Sequence, residues 1–182
     1  MATEKKLDCV ILGLLSHEEL TGYEIKKRID TALKYFWGAS YGSIYPTLGD
    51  LVTRGLATKR IDTKSKRKKF IYNITDDGRT YLAEWLRLPA EKDELRYETL
   101  LKLFFGNEAG ELQAISHIEA FQEKIEKELP YLLGSQQNLE KHIDSDKTHK
   151  YYLLTVKFGI QTYNAYLKWC KEAKKMLGKD YE

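Results

Sequence analysis

The residues best equipped for chemistry lie in one stretch of the chain, residues 39–69. Its first half carries hydroxyl groups among small residues, at Ser43, Tyr45 and Thr47. Its second half, residues 59–69, holds seven Lys or Arg side chains against a single acidic one, Asp62. Hydroxyls form hydrogen bonds and clustered cations attract anions, so this stretch indicates the binding of a polyanion. A merely solvated charged surface is the alternative that composition leaves open.

The first half of this stretch is predicted to form a helix over residues 41–54. Its apolar residues recur at the spacing of a helix with one buried face: Ile44, Leu48, Leu51 and Val52. The opposite face carries residues small enough for another backbone to approach: Gly42, Ser43, Pro46, Gly49 and Thr53. Pro46 has no N–H, so we expect it in the first turn, where the backbone donors have no partner inside the helix. Gly55 predicts a left-handed helix end.

Two short strands are predicted after this helix, over residues 56–61 and 68–74. In the second run Phe70, Tyr72 and Ile74 alternate with Lys69, Ile71 and Asn73, which is the period of a strand. The cations of the connecting hairpin are the candidate phosphate contacts: Lys64, Lys66, Arg67 and Lys68. A helix with one face of small residues, followed by a cationic hairpin, is typical of a winged helix-turn-helix, whose helix enters the major groove of DNA.

The candidate DNA contacts on the helix are Tyr41, Ser43, Tyr45, Pro46 and Thr47. Their hydroxyls, with the free backbone donors of the first turn, could reach bases or phosphates. Both tyrosines could instead pack against a neighbouring helix, and for Tyr41 this is the better interpretation because it borders the apolar stripe. The hairpin tip could likewise be only solvated.

The charge distribution supports a polyanion partner for the N-terminal part. The 182 residues carry a formal net charge of +3, with room for a domain and an accessory unit. Residues 1–88 hold sixteen Lys and Arg against eleven Asp and Glu, whereas the remainder holds fourteen against sixteen. We therefore predict a winged helix-turn-helix DNA-binding domain over residues 1–89 and a helical dimerisation domain over residues 90–182.

Further helices are predicted in the N-terminal part from their start signals. The first covers residues 4–15. The second begins at a capping box, Thr21 with Glu24, runs through Leu33 and ends at Gly38. A later helix is capped by Thr75 and ends before Pro89. Residues 90–94 are polar and are predicted to be a linker.

Three more helices are predicted beyond the linker, at residues 98–105, 108–133 and 148–177. Pro130 should bend or shorten the second, and Gly134 could end it. The last helix has apolar residues three and four apart, with more apolar surface than one intramolecular partner would cover. We predict a homodimer through it, with burial within one chain as the alternative. The candidate dimerisation residues are Leu153, Val156, Ile160, Tyr163, Leu167, Trp169 and Cys170.

Signals for other classes of protein are weak. The four histidines show no metal-protease spacing, and we find no nucleophile elbow and no phosphate-binding glycine loop, so an enzyme is not expected. No cofactor or metal site is predicted. Cys9 and Cys170 are interpreted as reduced, buried thiols, with redox sensing as the alternative. No signal peptide or membrane span is recognised, so a cytoplasmic protein is expected.

Several strings are specific enough to identify a family. They are Ile11-Leu12-Gly13-Leu14-Leu15, Thr21-Gly22-Tyr23-Glu24-Ile25, Gly42-Ser43-Ile44-Tyr45-Pro46-Thr47-Leu48, Leu51-Val52-Thr53-Arg54-Gly55-Leu56 and Tyr72-Asn73-Ile74-Thr75-Asp76-Asp77-Gly78. Together they resemble the PadR family of bacterial transcriptional regulators. Residues 100–106 and 159–169 resemble the AphA-like helical domain of its longer members.

The resemblance implies a dimeric winged helix-turn-helix regulator, more often a repressor than an activator, that binds a pseudo-palindromic operator. Some relatives respond to phenolic acids or other small aromatic compounds. A site for such an effector is expected between the winged domain and the dimer helices, where Phe36, Trp37 and Trp169 could gather, although an ordinary core role is the better interpretation of these side chains. The rival hypothesis is a winged helix that binds protein without specific DNA binding.

Overall fold

The computed structural model describes residues 2–34, 37, 39–62, 69–90 and 97–178, with side chains from residue 6 onward. The chain divides into two compact units, Met1–Asp93 and Glu94–Glu182. Within the described ranges, no helix has the length and apolar character needed to cross a membrane.

The N-terminal unit contains four helices and three strands in the described part of the chain. In chain order they are α1 (Ala2–Leu15), β1 (Leu20–Thr21), α2 (Gly22–Arg28), α3 (Tyr41–Thr53), β2 (Ala57–Ile61), β3 (Phe70–Ile74) and α4 (Asp76–Arg87). The sheet is antiparallel with the order β1-β3-β2. Ala57 pairs with Ile74 and Ile61 with Phe70, so β2 and β3 form the predicted hairpin.

The core of this unit is built from one face of each helix. The apolar residues of α3 that the spacing predicts to be buried are Ile44, Leu48 and Leu51, and all three have no exposed surface. They pack in one cluster with side chains from α1, α2 and the sheet, including Ile11, Leu12, Leu15, Leu20, Ile25, Ile29, Tyr72 and Ile74. Because this face of α3 is buried, its opposite face points to solvent.

Strand β1 is a feature that the sequence analysis missed. Leu20 pairs with Tyr72 and Thr21 with Ile71, so two residues join the edge of the hairpin. Thr21 is at the same time the N-cap of α2, and its side chain and Glu24 form the predicted capping box. A two-residue strand is too short to show a period of two, which is why only its capping role is visible in the sequence.

The second helix departs from the prediction at its C-terminal end. The α-helix ends at Arg28 and is followed by a π-helical turn, Ile29–Leu33. The hydroxyl of Thr31 donates to the carbonyl oxygen of Lys27, at 2.8 Å, which competes with the regular backbone pattern. Gly38, the predicted end of the helix, lies outside the described residues, as does the linker beyond residue 90.

Pro46 lies one turn later in α3 than the sequence predicts. The helix begins at Tyr41, so Pro46 lies in its second turn. Pro46 cannot donate to the carbonyl of Gly42, but both residues are exposed, so that carbonyl faces water. The C-terminal end agrees with prediction: Gly55 has φ 73°, and the N–H of Leu56 donates to the carbonyl of Leu51 at 2.9 Å.

The C-terminal unit contains α5 (Glu98–Phe104), α6 (Glu111–Lys141) and α7 (His149–Leu177). Here the predicted end of α6 near Gly134 is wrong, because the helix continues for 31 residues through Pro130 and Gly134. Its C-terminal part is held to α7: Lys157 lies 3.2 Å from Glu140, and Gly159 packs closely against Leu132. Tertiary packing thus overrides the two residues that break isolated helices.

A glycine in α4 provides a test of the packing in the N-terminal unit. A Cβ on Gly78 would lie 2.1 Å from the carbonyl oxygen of Leu56. We expect Gly78→Ala to lower the free energy of unfolding by about 1–3 kcal/mol, because helix and loop must separate. The control is Gly13→Ala, whose Cβ would have no neighbour within 4 Å and should stabilise α1 by about 0.5 kcal/mol. Urea unfolding measures both, and equal stability of the two variants would contradict the packing described.

Candidate nucleic-acid interface

The two tyrosines of α3 form a stacked pair on the solvent side of the helix. Tyr41 and Tyr45 lie one turn apart, with ring centroids 6.3 Å apart and an interplanar angle of 16°. Their side chains are 46% and 50% exposed, respectively. Each ring is therefore half covered by protein and half open to solvent. The two hypotheses for these residues, packing and contact with a ligand, are thus compatible.

The hydroxyls of Ser43 and Thr47 lie on the same helix but already donate hydrogen bonds. Ser43 donates to the carbonyl of Ser40 at 2.9 Å, and Thr47 donates to the carbonyl of Ser43 at 2.8 Å. Their oxygen lone pairs remain able to accept hydrogen bonds. In this state the two side chains suit the amino groups of adenine and cytosine, which donate in the major groove, better than phosphates, which only accept.

Helix α3 is anchored to α1 through Arg54, which directly follows it. One guanidinium nitrogen of Arg54 lies 2.7 Å from Asp8 in α1 and 2.8 Å from Asp50 in α3. The guanidinium also lies 5.1 Å from the ring centroid of Tyr81 in α4. Hydrogen bonds to Asp50 and Asp8 raise the pKa of Arg54 further above its usual value. This anchor ties the C-terminal end of α3 to α1, while the buried Ile44, Leu48 and Leu51 determine which side of the helix faces solvent.

Two described cations of the hairpin, Lys59 and Arg60, have partners within the protein. The ammonium of Lys59 lies 3.9 Å from the ring centroid of Phe70, and Arg60 is paired with Glu19. Glu19 also accepts from the side-chain amide of Asn73, at 3.4 Å, and so connects both strands to the loop before β1. The predicted phosphate contacts Lys64, Lys66, Arg67 and Lys68 lie outside the described residues, and their role stays a prediction.

Helix α2 supplies residues that the sequence analysis did not select for this surface. An ideal Cβ on Gly22 would lie 2.6 Å from a ring carbon of Tyr45, so the ring rests on the α2 backbone. The ammonium of Lys26 lies 5.5 Å from the ring centroid of Tyr41. Tyr23, in the same turn, is exposed. The sequence marks Thr21-Gly22-Tyr23 only as a helix start and as part of the family resemblance, because the contact of Gly22 with Tyr45 joins residues far apart in the chain.

The C-terminal unit contains an aromatic cluster. Phe121 of α6 lies 5.7 Å from Tyr166 and 6.2 Å from Trp169, both on α7 (centroid distances). Tyr97, just before α5, stacks edge-on against Tyr166, and the two phenol hydroxyls are hydrogen-bonded. Burial, followed by this hydrogen bond, raises the pKa of Tyr166 to about 12. The cluster therefore combines packed aromatic rings with a hydrogen-bonded pair of phenols.

The predicted dimerisation residues occupy two environments on α7. Ile160 and Cys170 are buried against the rest of the C-terminal unit. The others are partly buried: Leu153, Val156, Tyr163, Leu167 and Trp169. The apolar side chains that face solvent lie on another side of the helix, where Leu154 is 66% and Phe158 is 68% exposed. Within one chain, the predicted seam is thus used mainly against α6.

The remaining candidate residues are placed as follows. Trp37 belongs to the N-terminal unit and Trp169 to the C-terminal unit, while Phe36 lies outside the described residues, so their predicted gathering stays a prediction.

Both cysteines are free and buried, as predicted, and burial raises the pKa of the Cys9 thiol to about 11. In the part of the chain that the structure describes, no group of His, Cys, Asp or Glu could hold a metal ion.

The anchor of α3 can be tested by neutralising its two carboxylates separately. Asp8 is buried and Asp50 is exposed, although both contact the same guanidinium nitrogen. We expect Asp8→Asn to cost about 1–3 kcal/mol of unfolding free energy, since it weakens a buried charged hydrogen bond. Asp50→Asn, the matched control, should cost less than about 1 kcal/mol. Urea unfolding would contradict this assignment if the exposed pair proved the costlier one to remove.

Comparison with known proteins identifies the family. The model described as "Transcriptional regulator PadR-like family" matches residues 11–84, and "Virulence activator alpha C-term" matches residues 95–178. The negative transcriptional regulator PadR of Bacillus subtilis (strain 168) is 30% identical over an alignment of 186 positions, which covers 96% of this chain and 98% of that protein.

Solved structures of the Bacillus subtilis protein agree over nearly the whole chain. PadR in complex with operator DNA matches with a TM-score of 0.79 and 28% identity, over 94% of this chain and 98% of that one. PadR in complex with p-coumaric acid matches with a TM-score of 0.73 and 28% identity, over 95% and 99%. The predicted fold class, a winged helix-turn-helix followed by a helical part, is confirmed. The chain belongs to the PadR-like family of transcriptional regulators.

Proposed function

We propose that this chain is a repressor that binds duplex DNA as a homodimer, with α3 in the major groove and the β2–β3 hairpin on the backbone. The observation that carries the proposal is the exposed Tyr41–Tyr45 pair on α3, whose opposite face is buried in the core. A helix held in this way presents a fixed set of side chains to a groove. The chain is not an enzyme in this account, and it acts in the cytoplasm because its target is the bacterial chromosome.

The contacts divide by chemistry. Side chains of α3 read base edges: Tyr41, Ser43, Tyr45 and Thr47. Pro46, exposed between them, offers an apolar contact such as a thymine methyl group would match. The cations of the hairpin tip bind phosphates or enter the minor groove: Lys64, Lys66, Arg67 and Lys68. Phosphate contacts position the protein, whereas base contacts give it sequence preference. The complex of the Bacillus subtilis relative with operator DNA supports duplex DNA as the partner.

The C-terminal unit, Glu94–Glu182, is proposed to pair two chains. The family resemblance supports a dimer, and the exposed side of α7, with Leu154 and Phe158, offers apolar surface beyond the predicted seam. A two-fold dimer places two copies of α3 on the same side of the duplex. The operator should therefore contain two inverted half-sites, about 34–36 Å apart or a multiple of that distance.

A small aromatic acid is proposed to release the DNA. The Bacillus subtilis relative has been solved in complex with p-coumaric acid, and the aromatic cluster of the C-terminal unit offers ring faces and edges against which such a ring could stack. An effector can change the affinity for DNA only by its different affinity for the DNA-binding and released states. Its binding site must therefore differ between those states.

The proposed phosphate contacts of the β2–β3 hairpin, the wing of the winged helix-turn-helix, are tested by their effect on the salt dependence of binding. Lys64→Ala with Lys66→Ala should weaken binding to the duplex upstream of the protein's own gene, and to unrelated duplexes by a similar factor. The slope of log affinity against log salt should flatten by about 0.9 for each cation, or ~1.8 in total. Titration by fluorescence anisotropy at several salt concentrations measures both quantities.

Lys168→Ala is the matched control, because Lys168 is a well-exposed cation of the C-terminal unit. It should leave the affinity and the slope unchanged. An unchanged slope in the double variant would contradict the wing assignment. Binding that shows no preference for the upstream duplex and disappears near physiological salt would instead favour a protein-binding winged helix.

The effector is tested in the same assay by adding p-coumaric acid. Saturating acid should lower the affinity for the upstream duplex by about 5- to 150-fold, the usual range of coupling between two sites. Hexanoic acid, which has the carboxylate without the ring, is the control and should have little effect. If neither acid changes the affinity, this aromatic acid is not the effector.

A further inference from the structure

Four residues form two contacts between α2 and α3. Gly22 and Lys26 lie one turn apart on α2, and Tyr41 and Tyr45 lie one turn apart on α3. Gly22 lies against Tyr45, and Lys26 lies against Tyr41. These contacts, with the stacking of the two tyrosine rings, join the helices along their exposed edge.

The contact at Gly22 depends on the absence of a side chain. A Cβ there would lie 2.6 Å from Cε1 and 2.9 Å from Cζ of Tyr45, closer than real Cβ atoms approach. Gly22 itself is buried, and the Tyr45 ring covers it. Half of that ring is open to solvent, so a methyl group at residue 22 would push the ring outward rather than disrupt the core. The position of Tyr45 would change while the fold remained.

The contact at Lys26 holds the second ring. The Lys26 side chain is only 16% exposed, and its ammonium is paired with Asp30. A cation at 5.5 Å from the centroid of Tyr41 attracts the face of that ring. Because the charge of Lys26 is already paired within α2, its contribution at this surface is to orient Tyr41 rather than to add a free positive charge.

We propose that Gly22 and Lys26 are positioning residues for DNA recognition, which hold Tyr45 and Tyr41 as one rigid surface across the helix-turn-helix. This proposal rests on the proposed DNA binding through α3. It extends that function to two residues of α2 that need not touch DNA. A rigid pair of rings binds at a lower entropic cost than two mobile side chains, so the gain should appear in sequence-specific affinity.

The first test is Gly22→Ala, measured against Gly13→Ala. Gly13 lies on α1, away from the proposed DNA surface, and a Cβ there would have no neighbour within 4 Å. Gly22→Ala should weaken binding to the upstream duplex about tenfold, the usual size of one lost base contact, and change binding to an unrelated duplex little. Gly13→Ala should leave both affinities unchanged. Thermal unfolding of each variant shows whether the fold is intact.

A double-mutant cycle separates positioning from a general structural effect. If Gly22 acts through Tyr45, then Gly22→Ala should have no further effect on DNA affinity in a Tyr45→Ala background. Additive losses would overturn the proposal for Gly22, because they would show that the methyl group acts without the ring. An unchanged affinity in the single variant would overturn it as well.

Lys26→Met tests the second contact, because it keeps the apolar stem and removes the charge. A positioning role predicts a several-fold weaker affinity for the upstream duplex, with the salt slope unchanged. A slope lower by about 0.9 would mean that Lys26 contacts a phosphate and would overturn its positioning role.

Should the wild-type chain itself show no preference for the upstream duplex, the proposed function would fail and this proposal with it. A wild type that binds and a Gly22→Ala variant that binds equally well would remove only the positioning role.

Discussion

The burial of one face of α3 is the constraint on which the N-terminal unit depends. Ile44, Leu48 and Leu51 are fully enclosed, and Arg54 ties the end of the helix to Asp8 of α1. Apolar burial sets which side of the helix faces the core, and the charged hydrogen bond to a buried carboxylate ties the end of the helix to α1. This packing determines which side of α3 faces solvent. Packing on the buried side of α3 therefore decides which of its side chains can bind a ligand.

The same constraint explains why stability and recognition can be separated in this unit. The residues that hold α3 are buried, whereas the rings of Tyr41 and Tyr45 are half exposed and lie against α2 and each other. Changes on the exposed side should therefore alter binding more than folding. Changes at Asp8 or Gly78 should do the reverse, because those residues contact groups that connect separate elements.

Features with a local signal were predictable from the sequence. The stripe of α3, the capping box at Thr21, the left-handed Gly55 and the alternation in β3 each depend on neighbouring residues only. Features set by distant residues were not. Strand β1 exists because β3 offers it an edge, and α6 continues past Gly134 because α7 packs beside it. The contact of Gly22 with Tyr45 joins residues 23 positions apart, so no local pattern could reveal it.

The central claim is that two copies of α3 read two half-sites of one duplex. The most direct measurement combines the mass of the complex formed with the upstream duplex, by light scattering, with a footprint of the same complex. The account predicts two chains on each duplex and two protected, inverted half-sites separated by about one helical turn or a multiple of it. A single chain on the duplex, or protection of one unpaired half-site, would contradict it.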